Sequence, residues 1–448
     1  VLLPSSFLDS LDGLPGYDRA LFEAAHAHAD PITSIRINPS KPVDLSFSME
    51  RVPWTLFGSY VNPRPSFTFD PNFHGGAYYV QEASSMLLEQ AFIQSGLQNQ
   101  SIRALDLCAA PGGKATHLHS LLAPESLLVA NEVIRARTGL LRDNIVKWGA
   151  ENVVVTQNDP AQFERLPDYF DWITLDAPCS GSGMFRKDHE AITAWTPAQV
   201  NHCALRQQRI LQSAWKALKP GGILFYATCS YSAAENEAIA DWFIKEYEAV
   251  FQPIQLDSSW GVIETNNGYR CWPHFVKGEG FFFTCLKKIH SDVAVNPSYR
   301  FEKSKQIKKA TLYPSLNGWV ELAGMEVMEI GEELMALPKM YQADWQLIQQ
   351  ALNPLYAGIR LGKWMRDKLV PDHALALSNR LSSAVAKLPL DKQQAIAYLQ
   401  RKEINADFGT KGWVVAAYQG LSLGWLNVLS GRANNYYPKG LRILKDHL

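Results

Sequence analysis

Short, nearly unbroken apolar runs alternate with amphipathic stretches from about residue 100 to residue 288. Ala104, Leu105 and Leu107 form the first run, and a helix-forming stretch begins at Lys114 after a Pro-Gly-Gly turn. Further strands are predicted at Leu127–Asn131, Asn152–Thr156, Phe170–Asp176, Ile223–Ala227 and Gly280–Leu286. Helices are predicted at Arg135–Trp148, Pro197–Leu218 and Glu235–Tyr247; the second has Pro at its first turn and closes at Lys219-Pro220-Gly221-Gly222. Such alternation predicts an α/β fold, a doubly wound and mostly parallel sheet buried on both faces.

The flanks read differently. Residues 1–95 look like a small α+β module: helical spacing over Leu2–Ala27, alternation at Ser34–Asn38, and Pro-rich aromatic turns from Pro53 to Phe73. Tyr78 to Leu88 reads as a strand entering a helix capped near Glu82–Ser84. The central domain is assigned to 96–289, a polar linker to 290–310, and a C-terminal extension to 311–448. Trp413–Tyr418 and Leu421–Leu429 are expected to be strands of a small barrel-like module near its end.

At 448 residues the chain exceeds one core, so two to four domains are expected. Apolar runs are too short to cross a bilayer, and no secretory pattern opens the sequence, which gives the expectation of a cytoplasmic protein without a membrane partner. Net charge is −1, yet its distribution is uneven: roughly −7 over residues 1–290 and roughly +6 over 291–448. A basic tail is compatible with holding a polyanion. The six cysteines (108, 179, 203, 229, 271 and 285) include no Cys-x-x-Cys pair, so no metal site is expected. Cys203, Cys271 and Cys285 are expected to be small buried hydrophobes.

The candidate chemistry gathers at strand ends. Cys108-Ala109-Ala110-Pro111-Gly112-Gly113-Lys114 leaves room for a ligand to lie on the backbone, but it is neither a dinucleotide fingerprint nor a P-loop. Asp106, Glu132, Asp159 and Asp176 each fall at or just past a strand end. Glu132 is placed to take ribose hydroxyls and Asp159 an exocyclic amine. Cys179 and Cys229 follow two further strands. A thiolate adding to C6 of a pyrimidine would make C5 nucleophilic enough to take a methyl group, with Asp176 at the N3/N4 edge. A redox pair of the same two thiols is the rival chemistry, and needs Cα atoms within ~7 Å.

These residues carry a resemblance. Cys108–Lys114, Asp176-Ala177-Pro178-Cys179-Ser180-Gly181-Ser182-Gly183, and Tyr226-Ala227-Thr228-Cys229-Ser230 with Glu235-Asn236-Glu237 resemble the motif set of the RNA (cytosine-C5) methyltransferases of the NOL/Nop/Sun family. Ser34–Asn38 and Val80–Ser85 resemble that family's pre-catalytic region, and the match spans roughly residues 30–290. The whole architecture, with the ending Arg432–Pro438, is similar to the family's bacterial small-subunit rRNA members, which add an extension with a PUA-like domain.

The resemblance implies a class I (Rossmann-like) sheet and S-adenosyl-L-methionine bound by Cys108, Ala109, Ala110, Pro111, Gly112, Gly113, Lys114, Glu132, Asp159 and Asp176. It implies Cys229 as nucleophile, Cys179 as helper in breaking the adduct, and Asp176 and Lys114 in the catalytic pocket. Cys179 as nucleophile is the alternative, as in the DNA enzymes. Glu132 departs from the Asp of many relatives. Arg186 and Lys187 are candidates for backbone phosphate. The implied partner is RNA, 16S rRNA free or within the small subunit, not DNA, and the enzyme is expected to act as a monomer. Methylation of tRNA and a non-catalytic RNA-binding assembly role are the alternatives.

Overall fold

In the computed structural model the described residues are 3–27, 32–291, 308–309, 314–365, 368–407, 409, 411–430 and 432–446. The linker expected at 290–310 lies mostly outside them; Lys308–Lys309 is a strand of the extension's first sheet.

The centre is a parallel sheet built from β1 (Arg103–Asp106), β2 (Leu127–Asn131), β3 (Val153–Thr156), β4 (Phe170–Asp176) and β5 (Leu218–Thr228). Helices α1 (Gly113–Leu121), α2 (Arg135–Trp148) and α3 (Pro197–Ala217) lie between them. β6 (Gly268–Cys271) and β7 (Phe281–Lys287) add antiparallel strands, giving the order β3-β2-β1-β4-β5-β7-β6. The order reverses between β1 and β4, where α/β sheets open a crevice at the strands' carboxyl ends. Every residue of β2 and β3 is buried, which explains why these strands read as plain Leu/Val runs.

Two apolar cores sandwich the sheet. One joins Trp172 and Phe225 to the N-terminal module through Trp54, Met86 and Phe92. The other joins Ile173 and Leu224 to α3 and, from the extension, to Trp345 and Ile348. The extension also supplies β8 (Pro354–Ala357), which pairs antiparallel with the outer edge of β3. Asp344 accepts from Arg103 and from the Tyr169 hydroxyl, both at 2.5 Å, fixing this docking.

The flanking modules depart from the expectations in two places. Of the stretch Leu2–Ala27, the described residues form two helices, Ser5–Asp9 and Arg19–Ala27, separated by turns at Gly13 and Gly16 with positive φ. The stretch Pro53–Phe73 contains a strand, Gly58–Val61, central in a four-stranded sheet with Met49–Arg51, Ser34–Ile37 and Tyr78–Val80. A side chain at Gly58 would run into Thr55 and Met86 at 2.3 and 2.5 Å, so tight packing chose a residue with poor strand propensity. Near the end, Gly412–Tyr418 and Leu421–Leu429 form the expected strands, in a four-stranded sheet with Lys387–Leu390 and Arg432–Asn435.

Candidate active site

β1 ends at Asp106 and the chain turns through residues 107–112 into α1. Gly112 precedes the helix at φ +115°, a backbone conformation that a side chain rarely adopts. The turn is pinned from several sides. The Ala109 amide donates to the Asn131 carbonyl (2.8 Å), Arg137 donates to the Ala110 carbonyl (2.7 Å), and Asn144 donates to the Pro111 carbonyl (2.8 Å). Fully buried Arg36 donates to Thr116 Oγ1 (2.6 Å) and the Gly113 carbonyl (3.3 Å), and to Gln81 (2.8 Å). The two N-terminal motifs therefore act on the turn from behind, a role the sequence did not show.

The turn separates two cavities. One, of about 600 Å³, opens over β2 and β3 and is lined by Cys108, Glu132, Ile134, Asp159, Leu205 and Arg206 among others. Asp159 caps the turn after β3 and lies 3.4 Å from Arg209; Glu132 accepts from the Ile134 amide at 2.8 Å. The second, of about 330 Å³, is lined by Ala109, Ala110, Pro111, Gly113, Lys114 and Asp106 together with Asp176, Cys229, Glu279 and Phe281. Cys108 borders both. The residues expected to hold one cofactor are thus divided: Glu132 and Asp159 face one chamber and Asp176 the other. The wall that α3 contributes, His202, Leu205, Arg206 and Arg209, was missed. Its signal was an i, i+3, i+4, i+7 face carrying Leu205 at 67% exposure.

In the smaller cavity Lys114 Nζ sits 2.7 Å from Asp176. Burial alone would lower the Lys114 pKa, but Asp176 and Asp106 raise it on balance, so the ammonium stays charged. Asp106 is fully buried, and neither carboxylate oxygen has a donor in good hydrogen-bond geometry; burial, then the nearby Asp176 charge, pushes it up to about 8. Cys179 and Cys229 lie with their sulfurs 3.2 Å apart. Only Cys229 lines the cavity, with Cys179 behind it. The hydrogen bond with Cys229, then burial, raise the Cys179 thiol well above its ordinary value, so it keeps its proton.

One acid clamps the two cysteine loops together. Glu235 accepts from the Ser180 amide (2.7 Å), the Ser180 hydroxyl (2.6 Å) and the Ser230 hydroxyl (2.6 Å). Asn236 holds Thr228 and the Ser230 carbonyl, and the Gly183 amide donates to the Cys229 carbonyl. Cys203, Cys271 and Cys285 are buried, as expected. Arg186 and Lys187 reach the buried Glu279 carboxylate at 3.7 and 3.5 Å; the Arg186 side chain is buried by this, whereas Lys187 stays at the surface. Among the described residues no cluster of metal ligands occurs, and no helix is long and apolar enough to cross a membrane.

The strand order, the turn after β1 and the acids at the carboxyl edge define a class I methyltransferase with a Rossmann-like sheet. Family models described as 16S rRNA methyltransferase RsmB/F, the N-terminal domain of 16S rRNA methyltransferase RsmF and the methyltransferase RsmF PUA domain match residues 96–287, 3–83 and 385–443. A protein of Shewanella loihica described as ribosomal RNA small subunit methyltransferase F is 30% identical, over 91% of this chain and 88% of its own. The chain belongs to this methyltransferase F family. One from Aeromonas hydrophila with the same description is 30% identical over 98% of this chain and 97% of its own. Among solved structures, a methyltransferase homolog protein from Pyrococcus horikoshii is 29% identical with TM-score 0.52, covering 64% of this chain and all of that one.

Proposed function

We propose that this enzyme methylates C5 of a cytosine in 16S rRNA, using S-adenosyl-L-methionine and a transient bond between Cys229 and C6 of the base. The observation that carries the reading is the cavity in which the Cys229 thiol meets Lys114 and Asp176, with a second, protonated thiol in contact behind it. The relatives' description as small-subunit rRNA methyltransferases supports 16S rRNA over tRNA.

The chamber walls fit the cofactor. Asp106 offers buried oxygens to an ammonium, Glu132 an acceptor for ribose hydroxyls, and Ile134 and Leu205 apolar faces for a purine, while the 108–114 turn borders both chambers. When bound, S-adenosyl-L-methionine supplies an electrophilic methyl group. Cys229 adds as thiolate to C6, electrons move through the ring toward N3 and C5 becomes nucleophilic, while Asp176 accepts from the exocyclic amine at the same edge. After C5 is methylated, its proton passes to solvent water, the electrons of the C5–H bond re-form the C5–C6 double bond, and the C6–S bond breaks with its electron pair going to the Cys229 sulfur. Cys179, holding a proton 3.2 Å from the leaving sulfur, assists that last step. Lys114 stabilises negative charge on the ring. A redox pair would have no use for Lys114, Asp176 or the open chamber, and a scaffold none for the thiols.

A basic cleft of about 1450 Å³ in the extension, bordered by Arg401, Lys402, Lys411, Arg432 and Lys439, is the candidate for holding RNA away from the reacting base. The target base has to leave its stack to reach Cys229. Cys229→Ala is expected to abolish methyl transfer and keep cofactor binding, whereas Cys179→Ala accumulates a protein–RNA adduct on a denaturing gel. The opposite pattern reverses the two roles.

A further inference from the structure

Four carboxylates border the cavity that holds Cys229: Glu82, Asp106, Asp176 and Glu279. Three have uses already. Glu82 accepts from the Glu279 and Ser85 amides at 2.9 and 3.0 Å; Asp176 pairs with Lys114; Asp106, whose oxygens also lack a donor, is the acceptor assigned above to the cofactor's ammonium. Glu279 is different. Its side chain is 1% exposed, and neither oxygen has a donor in good hydrogen-bond geometry. The nearby cations Arg186 and Lys187 stand at 3.7 and 3.5 Å, close enough to balance its charge but offering at most one long contact from Lys187 to its four lone pairs. A buried acceptor left unmatched costs free energy, so its persistence in a ligand chamber asks for a donor that arrives with the ligand.

Its position is also fixed unusually well. The Glu279 amide donates to Glu82 and its carbonyl accepts from Ser84, while Tyr60 and Arg186 donate to the carbonyls of Lys277 and Gly278. A side chain at Gly278 would meet Ser84 at 2.2 Å, and one at Gly280 would meet Tyr231 at 2.3 Å. Along the carboxyl edge, β1 presents Asp106, β4 presents Asp176 and β5 runs into Cys229, with β7 on the far side of β5. Glu279, just before β7, therefore flanks Cys229 on the side away from Asp176.

Resting on the cytosine reading above, we infer that Glu279 is a specificity-determining residue that accepts a hydrogen bond from the exocyclic amine of the target cytosine. That amine carries two hydrogens, of which Asp176 takes one. A carboxylate is the acceptor that distinguishes cytosine's amine from a carbonyl or a bare C–H at the same ring position. A site built around such a bond rejects analogues lacking the donor, because its buried acceptor is then left unpaired.

The test uses the full chain and a synthetic 16S rRNA fragment carrying, at the mapped methylation position, either cytidine or the 2-pyrimidinone ribonucleoside, which has no amine. Initial rates of methyl transfer at subsaturating RNA give the preference for cytidine. Glu279→Met removes the acceptor; Glu279→Asp keeps the charge beside Arg186 and Lys187 but withdraws it by one methylene. Both variants are expected to lower the preference at least tenfold, through slower cytidine methylation, with cofactor affinity unchanged. An unaltered preference in folded variants overturns the assignment, as does an equal fractional loss on both bases, which marks a structural role only. Wild-type enzyme that methylates no cytosine removes the proposed function itself, an outcome read without either variant.

Discussion

At the scale of single residues, Asp106 makes a pH-dependent statement. Its carboxyl titrates near 8 in the folded chain, against an ordinary value of 3.8. The folded state therefore holds a proton that the unfolded state has released between those values, and stability falls as pH rises from about 4 to about 8. Asp106→Asn removes this contribution, so the melting temperature of ligand-free variant should fall less between pH 6 and pH 8 than that of wild type. A parallel decline in both proteins would mean that Asp106 ionises normally. Much at this scale was legible: the apolar run, the small-residue turn and the helix after it fall where the sequence placed them. What sequence could not give was the partition of Glu132, Asp159 and Asp176 between two chambers. That division depends on a face of α3 far from those acids along the chain.

Among elements, the cysteine loops after β4 and β5 are held in register by the acid that begins the Glu235-Asn236-Glu237 motif. Three donors converge on Glu235, and hydrogen bonds to a charged acceptor are worth about 1.5–3 kcal/mol each. Glu235→Gln, with one carbonyl oxygen where two stood, should separate the thiols. We expect a fall in kcat of about tenfold or more with cofactor affinity retained, measured by steady-state methyl transfer and calorimetric titration. An unchanged kcat would leave the clamp without a catalytic part. The strand Gly58–Val61 shows the opposite limit of sequence reading. Glycine there avoids a collision with Thr55 and Met86, and local propensity carries no record of such a neighbour.

Across the whole molecule, charge and shape divide the labour. Trp425 and Tyr437 are buried in the extension's cores, whereas Tyr436 is 42% exposed beside the basic cleft. Replacing Lys411, Arg432 and Lys439 together by alanine should weaken RNA binding and make its dependence on log salt shallower by about 2, at roughly 0.7 for each phosphate no longer neutralised, while cofactor binding stays constant. Filter binding across a salt series measures this; an unaltered slope would move the RNA elsewhere. The uneven charge hinted at such a division, but nothing in composition indicated that the extension also packs on the catalytic sheet.

The strand Pro354–Ala357 gives that packing a temporal meaning. All the motifs that carry the chemistry have been synthesised once a ribosome has passed residue 290, yet the outermost parallel strand then still has a bare row of amides and carbonyls, and its neighbouring helices lack their apolar cover. The nascent enzyme holds its reagents before it holds its shape, and the segment translated after them closes the sheet that supports them.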